Sequence, residues 1–271
     1  MPRIGSFAAL GDSFTEGLDD LDPAGSYRGW ADRFAASLSL HSPGLRYANL
    51  AVRGRRLRQV VGEQVSAAAG MAPDLVSIAA GGNDLLLPRA DPDALAQTFD
   101  SAVARLRAAG SEVLIFTGFD VRHFPVLRLL GGKIAAYNGH LRVIAERRQC
   151  HLADLWAMRP LRDDRAWSAD RLHLSPDGHR RVALLVSELM GAPVTADWRD
   201  QWPPIVATDW LTKRRTDIRW ARSHAAPWVG RRIRGASSGD GVAPKRPSLP
   251  RAQRLRRELR GCRGKGNEDE S

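Results

Sequence analysis

The chain has 271 residues, 43% of them hydrophobic and 26% charged, a composition that excludes an unfolded polyelectrolyte and gives ample length for a buried core. Its formal net charge of +11 is unevenly placed: residues 1–210 carry 24 basic and 24 acidic side chains, and residues 211–271 carry the other 17 basic and 6 acidic ones. The excess is a property of the tail, so it does not mark the main body as a nucleic-acid binder.

Apolar runs of strand length alternate with amphipathic segments of helix length through the first 190 residues, the pattern of βαβ units. It predicts a strand over 4–10, then a helix over 29–40 whose Trp30, Phe34, Ser37 and Leu38 share one face. A strand over 47–52 and a helix over 57–69 follow, and a strand over 75–80 ends at the Gly81-Gly82 turn. A helix over 93–109 leads to a strand over 112–117, and a helix over about 134–149 leads to a short strand over 150–155. Ser175 is the expected N-cap of a last helix reaching Met190, with Pro176 in the first turn, where its missing N–H does no harm. Five strands with helical crossovers predict an α/β fold. Its form is a three-layer α/β/α sandwich around a parallel sheet of flavodoxin-like order, with reactive groups at the carboxyl ends of the strands.

Beyond residue 190 the character changes. Residues 191–235 hold five of the eight tryptophans, Trp198, Trp202, Trp210, Trp220 and Trp228, and are expected to dock on the domain. Residues 236–271, rich in Ser, Gly, Pro, Arg and Glu, are expected to be disordered, so that truncation after about residue 235 leaves activity intact. The basic runs at 231–234 and 254–260 are read as a solvated end, with contact to nucleic acid or an anionic membrane as the alternative. No apolar run reaches the roughly 18 residues of a membrane span, and the first residues, Met1 to Phe7, lack the marks of an export signal. The two cysteines, Cys150 and Cys262, suggest neither a disulfide framework nor a zinc site and fit a reducing cytoplasm. Oligomeric state is not legible.

The chemistry concentrates at strand ends. The first strand runs into Gly11-Asp12-Ser13-Phe14-Thr15-Glu16-Gly17, where a sharp turn exposes a serine hydroxyl at the sheet edge; a serine that merely caps the next helix is the other reading. Asp170 stands three residues before His173, a spacing that sets a carboxylate and an imidazole on one side of a turn, although a solvated polar loop has the same pattern. Gly54 follows the second strand and can present its N–H to a ligand. Asn83, in Gly81-Gly82-Asn83-Asp84, follows the third and has an amide able to donate to an oxyanion; a plain turn and an Asx turn are the alternatives. All four elements fall on one sheet edge, each with a residue type that acyl transfer requires.

Together these segments resemble the sequence blocks of the SGNH hydrolases, also called GDSL-like lipases and esterases. The matching blocks are Gly11-Asp12-Ser13, Gly54 after Asn49-Leu50-Ala51, Gly82-Asn83-Asp84 and Asp170-x-x-His173, across about residues 4–190. Phe14 replaces the leucine of the first motif. The resemblance implies a Ser13–His173–Asp170 triad and an oxyanion hole from the Ser13 and Gly54 N–H groups and the Asn83 side chain. It implies hydrolysis of a short-chain or lipid-like acyl ester through an acyl-enzyme, with no metal or organic cofactor. The competing class is a binding protein on a hydrolase scaffold that uses its basic tail.

Other candidates rank lower. The acidic residues Asp12, Glu16, Asp19, Asp20 and Asp22 lack EF-hand spacing and read as a solvated loop at the pocket rim. His179 falls inside the last helix, and His41, His123, His140, His151 and His224 have no carboxylate at triad spacing. Arg53, Arg55, Arg56 and Arg58 read as a solvated helix start, or as a lure for an anionic substrate. Loops 14–28, 84–92 and 118–132 are expected to wall the pocket.

Overall fold

The computed structural model describes residues 4–122, 124, 127–204 and 237–249. Strands β1 (Ser6–Gly11), β2 (Arg46–Asn49), β3 (Leu75–Ala79), β4 (Glu112–Phe116) and β5 (His151–Ala153) form one parallel sheet in the order β2-β1-β3-β4-β5. β1 leads into α1 (Ser13–Glu16) and α2 (Gly29–His41). After β2 come α3 (Leu57–Gln59), a π-helical turn (Val60–Val65) and α4 (Ser66–Met71). β3 is followed by α5 (Gly82–Leu85) and α6 (Pro92–Ala108), β4 by α7 (Gly131–Arg147), and β5 by α8 (Pro176–Leu189). This is the expected α/β/α sandwich. The order in which strands are added reverses between β1 and β3, which opens a crevice at their carboxyl ends.

Alternation along the strands builds both layers. Phe7 and Ala9 of β1 and Leu114 and Phe116 of β4 pack with α2 and α8, while Ala8, Leu10, Val113 and Ile115 pack with α3, α4, α6 and α7. Each fully buried large side chain among them contributes about 1.5–3 kcal/mol. Phe7 is gripped on one side by a T-shaped contact with Phe34 at 5.2 Å and on the other by stacking on Tyr47 at 5.3 Å. Ser175 caps α8 as expected, its Oγ accepting from Gly178 N at 3.2 Å.

Three differences from the expected elements have local causes. β2 stops at Asn49, although the N–H groups of Leu50 and Val52 still reach β1 carbonyls at 2.9 and 3.3 Å. β5 has three residues because the next side chain, Asp154, turns away to accept from Thr117 Oγ1 and Arg142. The single helix expected over 57–69 is interrupted by the π turn.

The expected disorder of 236–271 fails for residues 237–249, which lie along the sheet edge. Arg246 and Asn49 exchange backbone hydrogen bonds of 2.9 and 3.2 Å, and Lys245 reaches the carbonyls of Glu16, Tyr27 and Arg28. Of the Trp-rich stretch, Trp198 and Trp202 pack against the core, and Trp202 is stacked by Arg181 at 4.3 Å and Arg165 at 4.9 Å. Trp210, Trp220, Trp228 and the basic runs at 231–234 and 254–260 lie outside the described residues. Among the described residues no helix is long and apolar enough to cross a membrane.

Candidate active site

The turn after β1 explains the Gly-Asp-Ser order. A Cβ on Gly11, whose φ is 151°, would collide with the Ala79 carbonyl of the neighbouring strand, so only glycine lets β1 close against β3 here. Asp12 then caps α1, accepting from Phe14 N at 3.1 Å, and Ser13 becomes the first helical residue. Ser13 Oγ lies 3.0 Å from His173 Nε2, across 160 residues of chain. His173 Nδ1 lies 2.6 Å from Asp170 Oδ2.

The loop bearing the imidazole is locked from within. Trp167 and Leu174 form an antiparallel bridge, Ser168 N donates to His173 O at 2.9 Å, and Arg171 takes the left-handed conformation at φ 54°. Asp170 Oδ1 accepts from Ser168 Oγ, Leu172 N and His173 N at 2.7, 2.9 and 3.0 Å. Burial would raise the Asp170 carboxyl, but the hydrogen bond and charge of His173 and the two backbone donors outweigh it and hold it well below the carboxylate range. Burial would likewise lower His173, yet the hydrogen bond and charge of Asp170, with Asp19 and Asp12 farther off, hold the imidazole above its ordinary value.

Asn83 and Gly54 have contacts of their own. Asn83, in α5, gives Nδ2 to Asp12 Oδ2 at 2.8 Å and to Arg55 O at 3.1 Å. Asp84 accepts from Leu57 N at 2.9 Å and so ties the start of α3 to the same corner. Burial pushes the Asp12 carboxyl up to about 6, against the opposing pull of the Phe14 N–H, the His173 charge and the Asn83 amide. Gly54 has φ 70°, and a Cβ there would strike the Ser237 hydroxyl. A cavity of about 220 Å³ opens beside Ser13, Asn83 and His173, and its walls include Phe14, Leu86, Phe119, Val121, Leu130 and Ile134. These come from the three loops singled out in the sequence and from the start of α7. Gly54 and Asp170 do not line it.

The lower-ranked residues have particular partners. Glu16 is buried and accepts from the backbone and guanidinium of Arg53, and Asp20 is buried under Arg28 and Arg33 at 3.2 and 2.7 Å. Asp22 closes a turn through Ala24 N and Ser26 N. Glu16 and Asp20 thus depart from the solvated loop expected there, because buried carboxylates require such partners, whereas Asp19 and residues 23–26 are exposed as that reading had it. Asp19, Asp170 and His173 bring ligand-type atoms within 4.8 Å of one another, the geometry of a possible cation trio among the described residues. Two of the three are already engaged with each other.

Arg53 is spent on Glu16 and Tyr27, and Arg55 pairs with Glu63 at 3.2 Å. His179 is buried between Trp30 N and Leu18 O, and burial pulls it down to about 4. His140 and His151 do meet carboxylates in space, Asp93 at 2.6 Å and Glu112 at 3.0 Å, contacts that sequence spacing could not show. His123 and His224 lie outside the described residues, as does Cys262. Burial pushes the Cys150 thiol up to about 11.

One supporting residue had no signal in the sequence. Gln64, in the π turn, accepts from Gly11 N at 2.8 Å and donates to Gly11 O at 2.9 Å, gripping the peptide groups on both sides of Gly11.

Comparison with known proteins gives the chain a family. The model of the GDSL-like Lipase/Acylhydrolase family matches residues 9–181, which include Ser13, Gly54, Asn83, Asp170 and His173. No curated protein gives a significant match. Among solved structures, Axe2, an acetylxylan esterase from Geobacillus stearothermophilus, is similar at 22% identity and a TM-score of 0.59, covering 74% of this chain and 100% of that one. LAE5, an α/β hydrolase enzyme from the metagenome of Lake Arreo, is similar at 23% identity and a TM-score of 0.59, covering 69% and 95%. TesA follows at 22% identity and a TM-score of 0.57, covering 68% and 97%. At these identities the likeness speaks for the fold, whereas the family model spans well over half of the sequence: the chain belongs to the GDSL-like lipase/acylhydrolase family and is an ester hydrolase by class.

Proposed function

We propose that the chain cleaves carboxylic esters through an acyl-enzyme on Ser13. The observation that carries this reading is the continuous hydrogen-bonded line Ser13 Oγ, His173 Nε2, His173 Nδ1 and Asp170 Oδ2, at 3.0 and 2.6 Å, on the rim of an apolar cavity. His173 takes the Ser13 proton as the oxygen attacks the ester carbonyl, while Asp170 holds the imidazole in the Nδ1–H tautomer and stabilises the imidazolium. The tetrahedral oxyanion is held by the N–H groups of Ser13 and Gly54 and by the Asn83 amide, which exchanges its bond to Asp12 or Arg55 for the developing charge. His173 returns the proton to the departing alcohol, and water, activated by the same imidazole, then releases the acid.

The apolar walls favour an acyl group or lipid-like chain as the part of the substrate beside Ser13. A fluorophosphonate probe tests the chemistry: covalent capture at Ser13, lost in Ser13→Ala, is expected. An intact Ser13 after exposure of active protein to the probe sinks the reading. A series of p-nitrophenyl esters of rising chain length, run on the same pair of proteins, then gives the acyl preference.

A further inference from the structure

The segment 237–249 bears on the site at two points. Lys245 Nζ, on a side chain only 21% exposed, donates to Glu16 O at 2.5 Å, Tyr27 O at 3.0 Å and Arg28 O at 3.1 Å, and pairs with Asp32 Oδ2 at 2.5 Å. An ammonium group taken out of water needs such a cage to offset its lost hydration. The cage joins the end of α1, whose first residue is Ser13, to the loop entering α2. Next to it, Arg246 pairs backbone to backbone with Asn49, and the Asn49 side chain donates to Thr15 O at 2.9 Å. The last two carbonyls of α1 are thus held from the sheet edge, one by Asn49 and one by Lys245.

The other end of the segment covers the Gly54 turn. Gly239 packs so closely on Arg53 that a Cβ would overlap the Arg53 carbonyl, and Ser237 lies over Gly54. Glu16 links the two points of contact, because its backbone carbonyl receives Lys245 and its carboxylate receives Arg53 N at 2.6 Å. A tail that only covered the sheet edge would meet β2 alone. This one touches the helix of the nucleophile and the turn of an oxyanion donor.

We infer that residues 237–249 form a positioning strap that fixes α1 and the Gly54 turn relative to each other, with Lys245 as its anchoring residue. The inference rests on Ser13 being the nucleophile and reverses the expectation that everything beyond about residue 235 is dispensable. Lys245 touches neither substrate nor Ser13, so its effect passes through α1.

The test uses the full chain with Lys245→Met and the charge-neutral pair Asp32→Asn/Lys245→Met, beside the parent. Three readings are taken: the rate of Ser13 capture by a fluorophosphonate, kcat and KM on p-nitrophenyl butyrate, and hydrogen exchange in peptides spanning 12–18 and 52–56. The expected result in folded variants is a fall of about tenfold or more in kcat and in capture rate, since small displacements of reacting groups carry costs of that order. KM changes less than kcat and stays within about threefold of the parent, because most of the apolar wall, including Leu86, Phe119, Val121, Leu130 and Ile134, lies outside α1. Exchange rises in both peptides. Either variant folded by circular dichroism, with parental capture rate and unchanged exchange, overturns the strap; if Lys245→Met fails to fold, the neutral pair decides in the same way. A parent that is never captured at Ser13 removes the nucleophile instead, and the exchange data still report on the strap.

Discussion

Asp19 Oδ2 stands 3.8 Å from His173 Nδ1, the same nitrogen that Asp170 holds at 2.6 Å. Asp19 reaches this place from a left-handed backbone conformation, φ 65°, and its side chain is 39% exposed, so its charge is partly screened by water. The imidazole therefore has one bonded carboxylate and one spectator. Asp170→Ala is expected to lower kcat by about 10³-fold, somewhat less than a triad without a second carboxylate would lose. Asp19→Asn alone changes kcat by no more than about threefold, and in the Asp170→Ala background it removes about a further tenfold. Steady-state kinetics on the four proteins measure the coupling; strictly multiplicative losses would show that Asp19 does not stand in for Asp170.

The same two carboxylates set the pH profile. His173 works as a base only when neutral, and its partners hold it above the ordinary value of 6.5, so kcat/KM should climb through a midpoint above 6.5. In Asp170→Asn that midpoint moves down. For stability the sign is opposite: the native state holds a proton that the unfolded chain releases, so His173 contributes below 6.5 and that contribution is lost as pH rises through the raised value. Asp170, held low, contributes above 3.8 and loses this as pH falls. A midpoint for kcat/KM at or below 6.5 in the parent would contradict the assignment of His173 as base.

Asn83→Ala tests the oxyanion donors. Its Nδ2 donates to Asp12 Oδ2 and Arg55 O, bonds that the proposed mechanism exchanges for one to the oxyanion. The expected loss is about 10²–10³-fold in kcat with little change in KM, because the interaction strengthens only in the transition state. A fall in kcat/KM carried by KM alone would assign Asn83 to substrate binding instead.

The sheet, its order and the residues at four strand ends were legible because period-2 and period-3.6 patterns and short motifs are local. Ser175 as a cap and the Asp170–His173 spacing belong to the same class, since both ends of each contact lie within one turn of chain. What stayed hidden depends on contacts between distant residues. Gln64 grips Gly11 across 53 positions, and nothing in Val60–Val65 announces a π turn. Lys245 meets Glu16 across 229 positions, and a Ser-, Gly- and Pro-rich segment reads as disordered unless its anchor is seen. Glu16 in the acidic stretch after Ser13 was misread as solvated for a similar reason: Arg53, which pairs with it, lies 37 positions away.

Trp202 offers a stability test away from the chemistry. Its indole is held by Arg165 and Arg181, and its Nε1 donates to Pro160 O at 2.9 Å. Trp202→Ala should cost about 2 kcal/mol, combining two cation–π contacts, one hydrogen bond and partial apolar burial. That lowers the melting temperature by about 4–8 °C for a domain of this size. Activity at 25 °C stays within about threefold, as for a site with no shared partner at Ser13. An unshifted melting temperature would show that the 191–204 segment adds no stability through this residue.

Gln64 combines both effects in one side chain. Replacing it by Leu leaves Gly11 N without its acceptor in a buried place, whereas Gly11 O keeps a longer bond from Val52 N at 3.3 Å. One orphaned donor costs about 1–3 kcal/mol, which is about 3–10 °C in melting temperature. Because Gly11 immediately precedes Asp12 and Ser13, kcat should also fall by about tenfold through displacement of the hydroxyl. Gln64→Glu separates the two bonds: its carboxylate still accepts from Gly11 N, and only the protonated acid can donate to Gly11 O. Its melting temperature should therefore approach that of the parent as pH is lowered toward about 5, where a buried carboxyl of raised pKa takes up its proton. A Gln64→Leu protein that melts with the parent and keeps its kcat would show that the grip on Gly11 is redundant with the strand pairing around it.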